Sequence, residues 1–150
     1  CQAANCGPIV DALDQGLDHV PGIEKGKTIA SAIAVSNPGM LGNETLRSVQ
    51  QSGGCGIKVD DDNLLKVWEQ LGRAGIFIEP SSAISVASAY QMAQRGMLRS
   101  SDVMVAVVTG SGFKDADTLN ARVTIPDEVV EGQKAFNERL ETISKLCQSK

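Results

Sequence analysis

Six consecutive apolar residues, Val103-Met104-Val105-Ala106-Val107-Val108, run without a polar break into Thr109-Gly110-Ser111-Gly112. A strand with one face in water alternates apolar and polar side chains. A run apolar on both faces suits a strand covered on both sides, as in a parallel sheet flanked by helices. The pattern predicts a strand over Asp102–Val108 whose carboxyl end opens onto hydroxyls and glycines. In open α/β sheets that is the end at which ligands bind, and glycine lets backbone N–H groups approach a ligand closely. The same residues also suit a tight strand-to-helix turn in which glycine serves geometry alone. Asp115 stands where the third glycine of a dinucleotide fingerprint would be, and the segment is no Walker A loop.

The rest of the chain alternates short helical and extended stretches. Gly7-Pro8 opens a short helix through Ile9, Val10, Ala12 and Leu13 that stops at Gly16. A polar loop follows, then the small apolar stretch Thr28–Val35, which ends at the turn Asn37-Pro38-Gly39. Asn43 is placed to cap a helix running to about Gln51, which Ser52-Gly53-Gly54 ends, and Cys55–Val59 reads as a short strand. Asp60 caps the next helix, on which Leu64, Leu65, Trp68 and Leu71 share a face, with Asp61 and Asp62 at the positive end of its dipole. Ile76-Phe77-Ile78 is extended, and Pro80 opens a Ser- and Ala-rich helix of about Ser81–Arg95. A β-like stretch, Arg122–Ile125, precedes a tail helix of about Asp127–Cys147 with Val129, Phe136, Leu140, Ile143 and Cys147 along one face. This order predicts an α/β fold, a three-layer sandwich with a mainly parallel sheet. It reads as one domain over 1–150, with about 121–150 as a helical tail.

Composition narrows the function. Acidic residues outnumber basic ones by 18 to 14, giving a net charge of −4, which argues against a nucleic-acid binder. Aromatic residues are 3% of the chain, leaving little for base stacking. The longest apolar runs are far too short to span a bilayer. Cys1, Cys6, Cys55 and Cys147 form no CxxC pair and His19 is the one histidine, so a zinc cluster has no usable spacing. The cysteines are expected to be reduced thiols of a cytoplasmic protein. His19 has no acid–nucleophile pattern beside it, and Asp60-Asp61-Asp62 lacks the rest of a calcium loop. Glu79-Pro80-Ser81-Ser82 sets an acid and two hydroxyls at a helix start, where a carboxylate can equally serve as a cap. Residue 1 is Cys and Gln2-Ala3 reads as the end of a strand, so the chain is expected to be a piece of a larger protein.

Five stretches, taken in order, resemble the second half of threonine synthases. They are Gln2-Ala3-Ala4-Asn5-Cys6-Gly7-Pro8-Ile9-Val10, then Thr28-Ile29-Ala30-Ser31-Ala32-Ile33 with Asn37-Pro38, and Ser52-Gly53-Gly54. Gly75-Ile76-Phe77-Ile78-Glu79-Pro80-Ser81-Ser82-Ala83 and Thr109-Gly110-Ser111-Gly112-Phe113-Lys114-Asp115 complete the set. The wider group is the fold type II pyridoxal-phosphate enzymes, which also includes serine and threonine dehydratases. The Asn-Pro turn and the TGxGxKD ending are closer to threonine synthase.

The resemblance implies pyridoxal phosphate as cofactor and the conversion of O-phospho-L-homoserine and water to L-threonine and phosphate. It implies that Thr109 offers its hydroxyl to the cofactor's pyridine nitrogen, with Gly110 in the same loop. Ala32 and Ile33 are expected against the ring face and Glu79 near the site. Ser111 stands where many relatives have His. The family's Schiff-base lysine, in a Ser-Phe-Lys-Asp type motif, and its glycine-rich phosphate loop belong to an N-terminal part, and neither motif occurs in 1–150. Lys114 lies in the cofactor-nitrogen loop and is not assigned that role. No catalytic residue and no metal ligand is therefore expected in the chain, which is expected to be the C-terminal portion of the cofactor-binding domain and inactive alone. Exposed sheet edge and apolar surface would favour self-association. A dehydratase-like lyase and a non-catalytic ligand-binding module stay open as alternatives.

Overall fold

A buried tryptophan and two short parallel strands organise the larger part of the molecule. The computed structural model describes residues 1–24, 26–122 and 132–148. It divides into two units, Cys1–Leu119 and Asn120–Lys150, taken here in turn.

In the first unit, β1 (Gln2–Ala3) pairs in parallel with β2 (Lys58–Val59), Gln2 opposite Lys58 and Ala3 opposite Val59. Bonds from Gln2 N to Ile57 O (2.9 Å) and from Ala4 N to Val59 O (2.8 Å) extend the ladder. Ala3 and Val59 are fully buried. The helix α1 (Pro8–Asp14) carries proline in its first turn but no cap of its own. Gln2 supplies one from the strand, its Oε1 accepting from Ile9 N at 2.9 Å and Val10 N at 3.0 Å. Lys58 pairs with Asp11, a second tie between the sheet and α1. The predicted strand Cys55–Val59 is thus shorter than expected, since β1 offers a partner along only two of its residues.

Helix α2 (Gly39–Gln51) begins a turn earlier than the sequence suggests. Asn43 is inside it rather than at its cap, and its Oδ1 accepts from Val20 N at 2.7 Å. The side chain that a cap would have used for its own helix instead holds the preceding loop. Gly39, at φ +54°, makes the turn out of Pro38. Ser52 ends the helix and Gly53 follows at φ +66°, as expected. Ala12, Val20 and Leu46 form a small core where α1 meets α2.

Helix α3 (Asp61–Arg73) starts at Asp60, whose carboxylate accepts from Asn63 N at 2.9 Å and from Asn63 Nδ2 at 2.6 Å. Asp61 turns back to Thr28 Oγ1 (2.6 Å) and Ile29 N (3.0 Å). That fixes the segment leading to a 3₁₀ turn at Ser31–Ile33. Leu64, Leu65 and Trp68 face inward, and α3 packs on α4 (Pro80–Gln94). The main core joins these side chains to Ala3, Ile57, Val59, Ile78, Ala83, Ile84 and Ala87. Trp68 Nε1 donates to Ile78 O at 2.5 Å, giving the buried indole its partner.

The predicted strand Asp102–Val108 is not formed. These residues join no sheet, and Val103, Val105 and Val107 are 92%, 79% and 67% exposed. A strand needs a neighbour to complete its ladder. Among the described residues the sheet has two strands, and neither lies alongside this segment. Helices around a small parallel sheet therefore describe the unit, an arrangement consistent with the α/β class. Gly112–Lys114 forms a second 3₁₀ turn, and α5 covers Ala116–Asn120.

In the second unit α6 spans Gln133–Gln148, with Phe136, Leu140 and Ile143 each about half exposed. Residues 123–125 of the expected β-like stretch and 127–131 of the expected tail helix lie outside the described residues. Cys1, Cys6 and Cys55 are free thiols. Among the described residues no helix is long and apolar enough to cross a membrane. His19 bonds to Asp18 at 2.8 Å on the surface.

The cap of α3 makes a measurable prediction. The Asn63 backbone N–H holds the Asp60 carboxyl below its ordinary value of 3.8. A group whose folded value is depressed stabilises fully above its unfolded value, and that stability is lost as pH falls through the folded one. Asp60→Ala is expected to cost about 1 kcal/mol at neutral pH. In thermal unfolding the gap between wild type and variant should narrow once the pH falls below the ordinary carboxylate value.

Candidate active site

Two stretches of chain meet at the N-terminus of α4. Ile78 and Ser111 form an isolated antiparallel bridge. Glu79 N donates to Gly110 O at 3.1 Å and Gly112 N to Phe77 O at 3.3 Å. The rings of Phe77 and Phe113 meet edge to face, 4.9 Å between centroids and 81° between planes. At two glycines here an added side chain would force a neighbour to shift. A Cβ on Gly112 would lie 2.5 Å from the Phe77 ring, and one on Gly110 would lie 2.3 Å from Glu79 Oε1.

At the centre of this junction is Ser82, in the first turn of α4 and 1% exposed. Its Oγ accepts from Gly110 N at 2.8 Å and Thr109 N at 3.0 Å, and stands 2.9 Å from Thr109 Oγ1. Glu79 occupies the N-cap position yet makes no capping bond. Its buried carboxylate lies instead among hydroxyls, with Oε1 3.4 Å from Ser82 Oγ and 3.5 Å from Thr109 Oγ1. The positive end of the α4 dipole favours a negative charge there. Thr109 itself is exposed, so its hydroxyl can be reached from outside while its backbone is fixed from within.

Of the residues expected to form the site, the structure gathers Thr109, Gly110 and Glu79 around one hydroxyl. Ala32 is tied to the same helix end, its N–H donating to Ser81 Oγ at 3.2 Å. Ile33 packs against the main core. Lys114 lies exposed in the 3₁₀ turn after the loop. Ser111 Oγ accepts from Phe113 N at 3.4 Å and Asp115 Oδ1 from Thr118 N at 3.1 Å, so these two residues shape the turn. The sequence places Ser81 and Ser82 beside Glu79 at a helix start but assigns neither a role in the site. The signal available was the pair of hydroxyls directly after Glu79-Pro80 at a helix start. The assembled groups are two hydroxyls, a carboxylate and backbone amides. The amides are already bonded to Ser82, so the exposed Thr109 hydroxyl is the group here that can meet a polar ligand atom.

Residues 1–110 match the family model described as pyridoxal-phosphate dependent enzyme. The threonine synthase of Methanosarcina acetivorans is 33% identical over 119 residues, which is 79% of this chain and 29% of that protein. The threonine synthase of Methanocaldococcus jannaschii is 32% identical over 117 residues, 77% of this chain and 29% of the relative. That of a Bacillus species is 34% identical over 96 residues, 63% and 27% respectively. The chain thus spans less than a third of the length of each of these three relatives. Since the family match covers 1–110, and with it every residue that meets at Ser82, this chain belongs to the pyridoxal-phosphate dependent enzymes.

Proposed function

We propose that this chain is part of a threonine synthase, which converts O-phospho-L-homoserine and water to L-threonine and phosphate. The observation that carries the reading is the exposed Thr109 hydroxyl, its backbone anchored by Ser82 at the end of the matched region. The names of the relatives support the same reaction.

The residues at this junction fit one end of pyridoxal phosphate. A pyridine nitrogen needs a single hydrogen-bonding group, and Thr109 presents a neutral hydroxyl at an accessible edge. Among the described residues its side-chain hydrogen-bonding neighbours are Ser82 and Glu79. When bound, the cofactor serves as an electron sink that lets phosphate leave the γ carbon and water add at the β carbon. Within this chain Thr109 holds the ring nitrogen. Ala32 offers a small side chain against the ring face, placed by its bond to Ser81, and Ile33 adds apolar surface beside it. Glu79 lies behind the hydroxyls at the start of α4, and Gly110 leaves the space its side chain needs.

In this reading residues 1–150 are a C-terminal portion of a cofactor-binding α/β domain, with about 121–150 as its helical tail. The whole domain is a three-layer sandwich whose mainly parallel sheet includes strands from elsewhere in the enzyme. The protein is cytoplasmic, takes a small-molecule substrate and self-associates. The 150 residues by themselves carry no Schiff-base lysine motif and do not turn over phosphohomoserine.

The test is an assay of the full-length protein with each amino acid in turn. Threonine and phosphate should form from O-phospho-L-homoserine only when pyridoxal phosphate is present. Deamination of L-threonine or L-serine without phosphate release would instead make the protein a dehydratase. In the same assay Gly110→Ala should lower kcat/KM by about 100-fold, the order expected when a catalytic geometry is displaced by about 1 Å. The reason is that the added methyl group collides with the Glu79 carboxylate. A variant within twofold of wild type would remove that carboxylate from the site.

A further inference from the structure

Asp60 and Asp61 stand side by side at the start of α3, yet their hydrogen bonds go opposite ways. Asp60 bonds to Asn63 within α3. Asp61 turns away from its helix, its carboxylate accepting from Thr28 Oγ1 at 2.6 Å and from Ile29 N at 3.0 Å. A hydroxyl has one proton and two lone pairs. With its proton given to Asp61, Thr28 Oγ1 accepts from Ala30 N at 3.1 Å. The Ala30 carbonyl in turn accepts from Ile33 N at 3.1 Å, closing the 3₁₀ turn of Ser31–Ile33. The bonds therefore run from Asp61 through Thr28 and Ala30 to Ile33. A second tie comes from the first turn of α4, where Ser81 Oγ accepts from Ala32 N at 3.2 Å. Ala30 is fully buried, whereas Ser31 and Ala32 are exposed. The turn is thus a ledge held from behind by the first turns of two helices, with its outer side open to a ligand.

We infer that Asp61 is a positioning residue for cofactor binding: acting through Thr28, it fixes the ledge that presents Ala32 and Ile33 before the ring arrives. The inference rests on the placing of Ala32 and Ile33 against the ring proposed above, and goes beyond it by assigning the residue on another element that holds them there. Without the carboxylate, Thr28 and Ile29 lose their common acceptor, and the ledge is left tied at Ser81 alone. A ledge that spends only part of its time in the binding arrangement lowers the apparent affinity by that fraction.

The experiment titrates the full-length apoprotein with pyridoxal phosphate and reads the dissociation constant by absorbance, beside the melting temperature. Asp61→Ala should raise that constant about tenfold. Asp60→Ala removes the neighbouring carboxylate from the same helix end but touches only Asn63. It should lower the melting temperature and leave the constant within about twofold of wild type. A residue that only stabilised the fold would act as Asp60 does. Thr28→Val keeps the shape and removes the hydroxyl, so it should move the constant in the same direction as Asp61→Ala. It decides the matter if Asp61→Ala does not fold. Thr28→Ser keeps the hydroxyl and should bind as wild type does. A wild-type constant in folded Asp61→Ala or Thr28→Val, or an equal rise in Asp60→Ala, overturns the inference. Ala32→Phe distinguishes this from a failure of the reading beneath it, since a bulky side chain there should block the cofactor. If Ala32→Phe binds as wild type does, Ala32 does not face the ring and the proposed placement fails. If it blocks binding while Asp61→Ala and Thr28→Val do not weaken it, only the role given to Asp61 fails.

Discussion

The buried hydroxyl of Ser82 does for Thr109 and Gly110 what a neighbouring strand does elsewhere: it accepts their backbone N–H groups away from water. The same device recurs through the chain. Gln2 receives the first amides of α1, Asn43 receives Val20 N, and Asp61 receives Ile29 N. Trp68 meets the opposite need by donating to the Ile78 carbonyl. With two strands of two residues each in the sheet, side chains carry much of the backbone pairing that a larger ladder would supply. Each such bond contributes about 1 kcal/mol, but leaving its buried partner unpaired costs more. The identities of these side chains are therefore as constraining as those of the core.

These ties connect the core to the site in a short path. Asp60 caps α3, and α3 presents Leu64, Leu65 and Trp68 to the core. The Trp68 indole fixes the carbonyl of Ile78, and the next residue, Glu79, bonds to Gly110 O and begins α4. Ser82 then returns from α4 to the amides of Thr109 and Gly110. A change that shifts α3 relative to α4 must move one end of this path, so the packing of the core and the position of the Thr109 hydroxyl are linked by direct contacts.

What could be read from the sequence was local. Asp60 caps as expected because its partner, Asn63, is three residues away. Pro80 and Gly53 mark helix ends through their own backbone preferences. The apolar face of α3 follows from spacing along one helix. The failures all involve partners remote in sequence. Asn43 has the chemistry of a cap, yet it serves Val20, 23 residues away. Asp102–Val108 has the composition of a buried strand, but composition cannot supply the strand beside it. The site divides in the same way. Thr109, Gly110 and Glu79 were legible as parts of recognisable stretches. The role of Ser82 was not, because a serine in the first turn of a helix looks the same whether it faces solvent or gathers amides from 27 residues away.

The apolar run before Thr109 bears on how the site is held. Burial of a valine side chain is worth roughly 1.5–3 kcal/mol, yet Val103, Val105 and Val107 remain largely exposed. In this chain that burial contributes little to fixing the segment. Its anchors are at the carboxyl end: Ser82 holds the two amides that follow Val108, and Ser85 Oγ, whose proton is shared with Ser82 O at 2.8 Å, lies 3.1 Å from Val107 O. Both serines belong to α4, one turn apart. Covering the valines would add stability to the segment, but the direction in which Thr109 faces is already set by α4. The hydrophobic demand of the run and the geometry of the hydroxyl are therefore separable, and the second is met without the first.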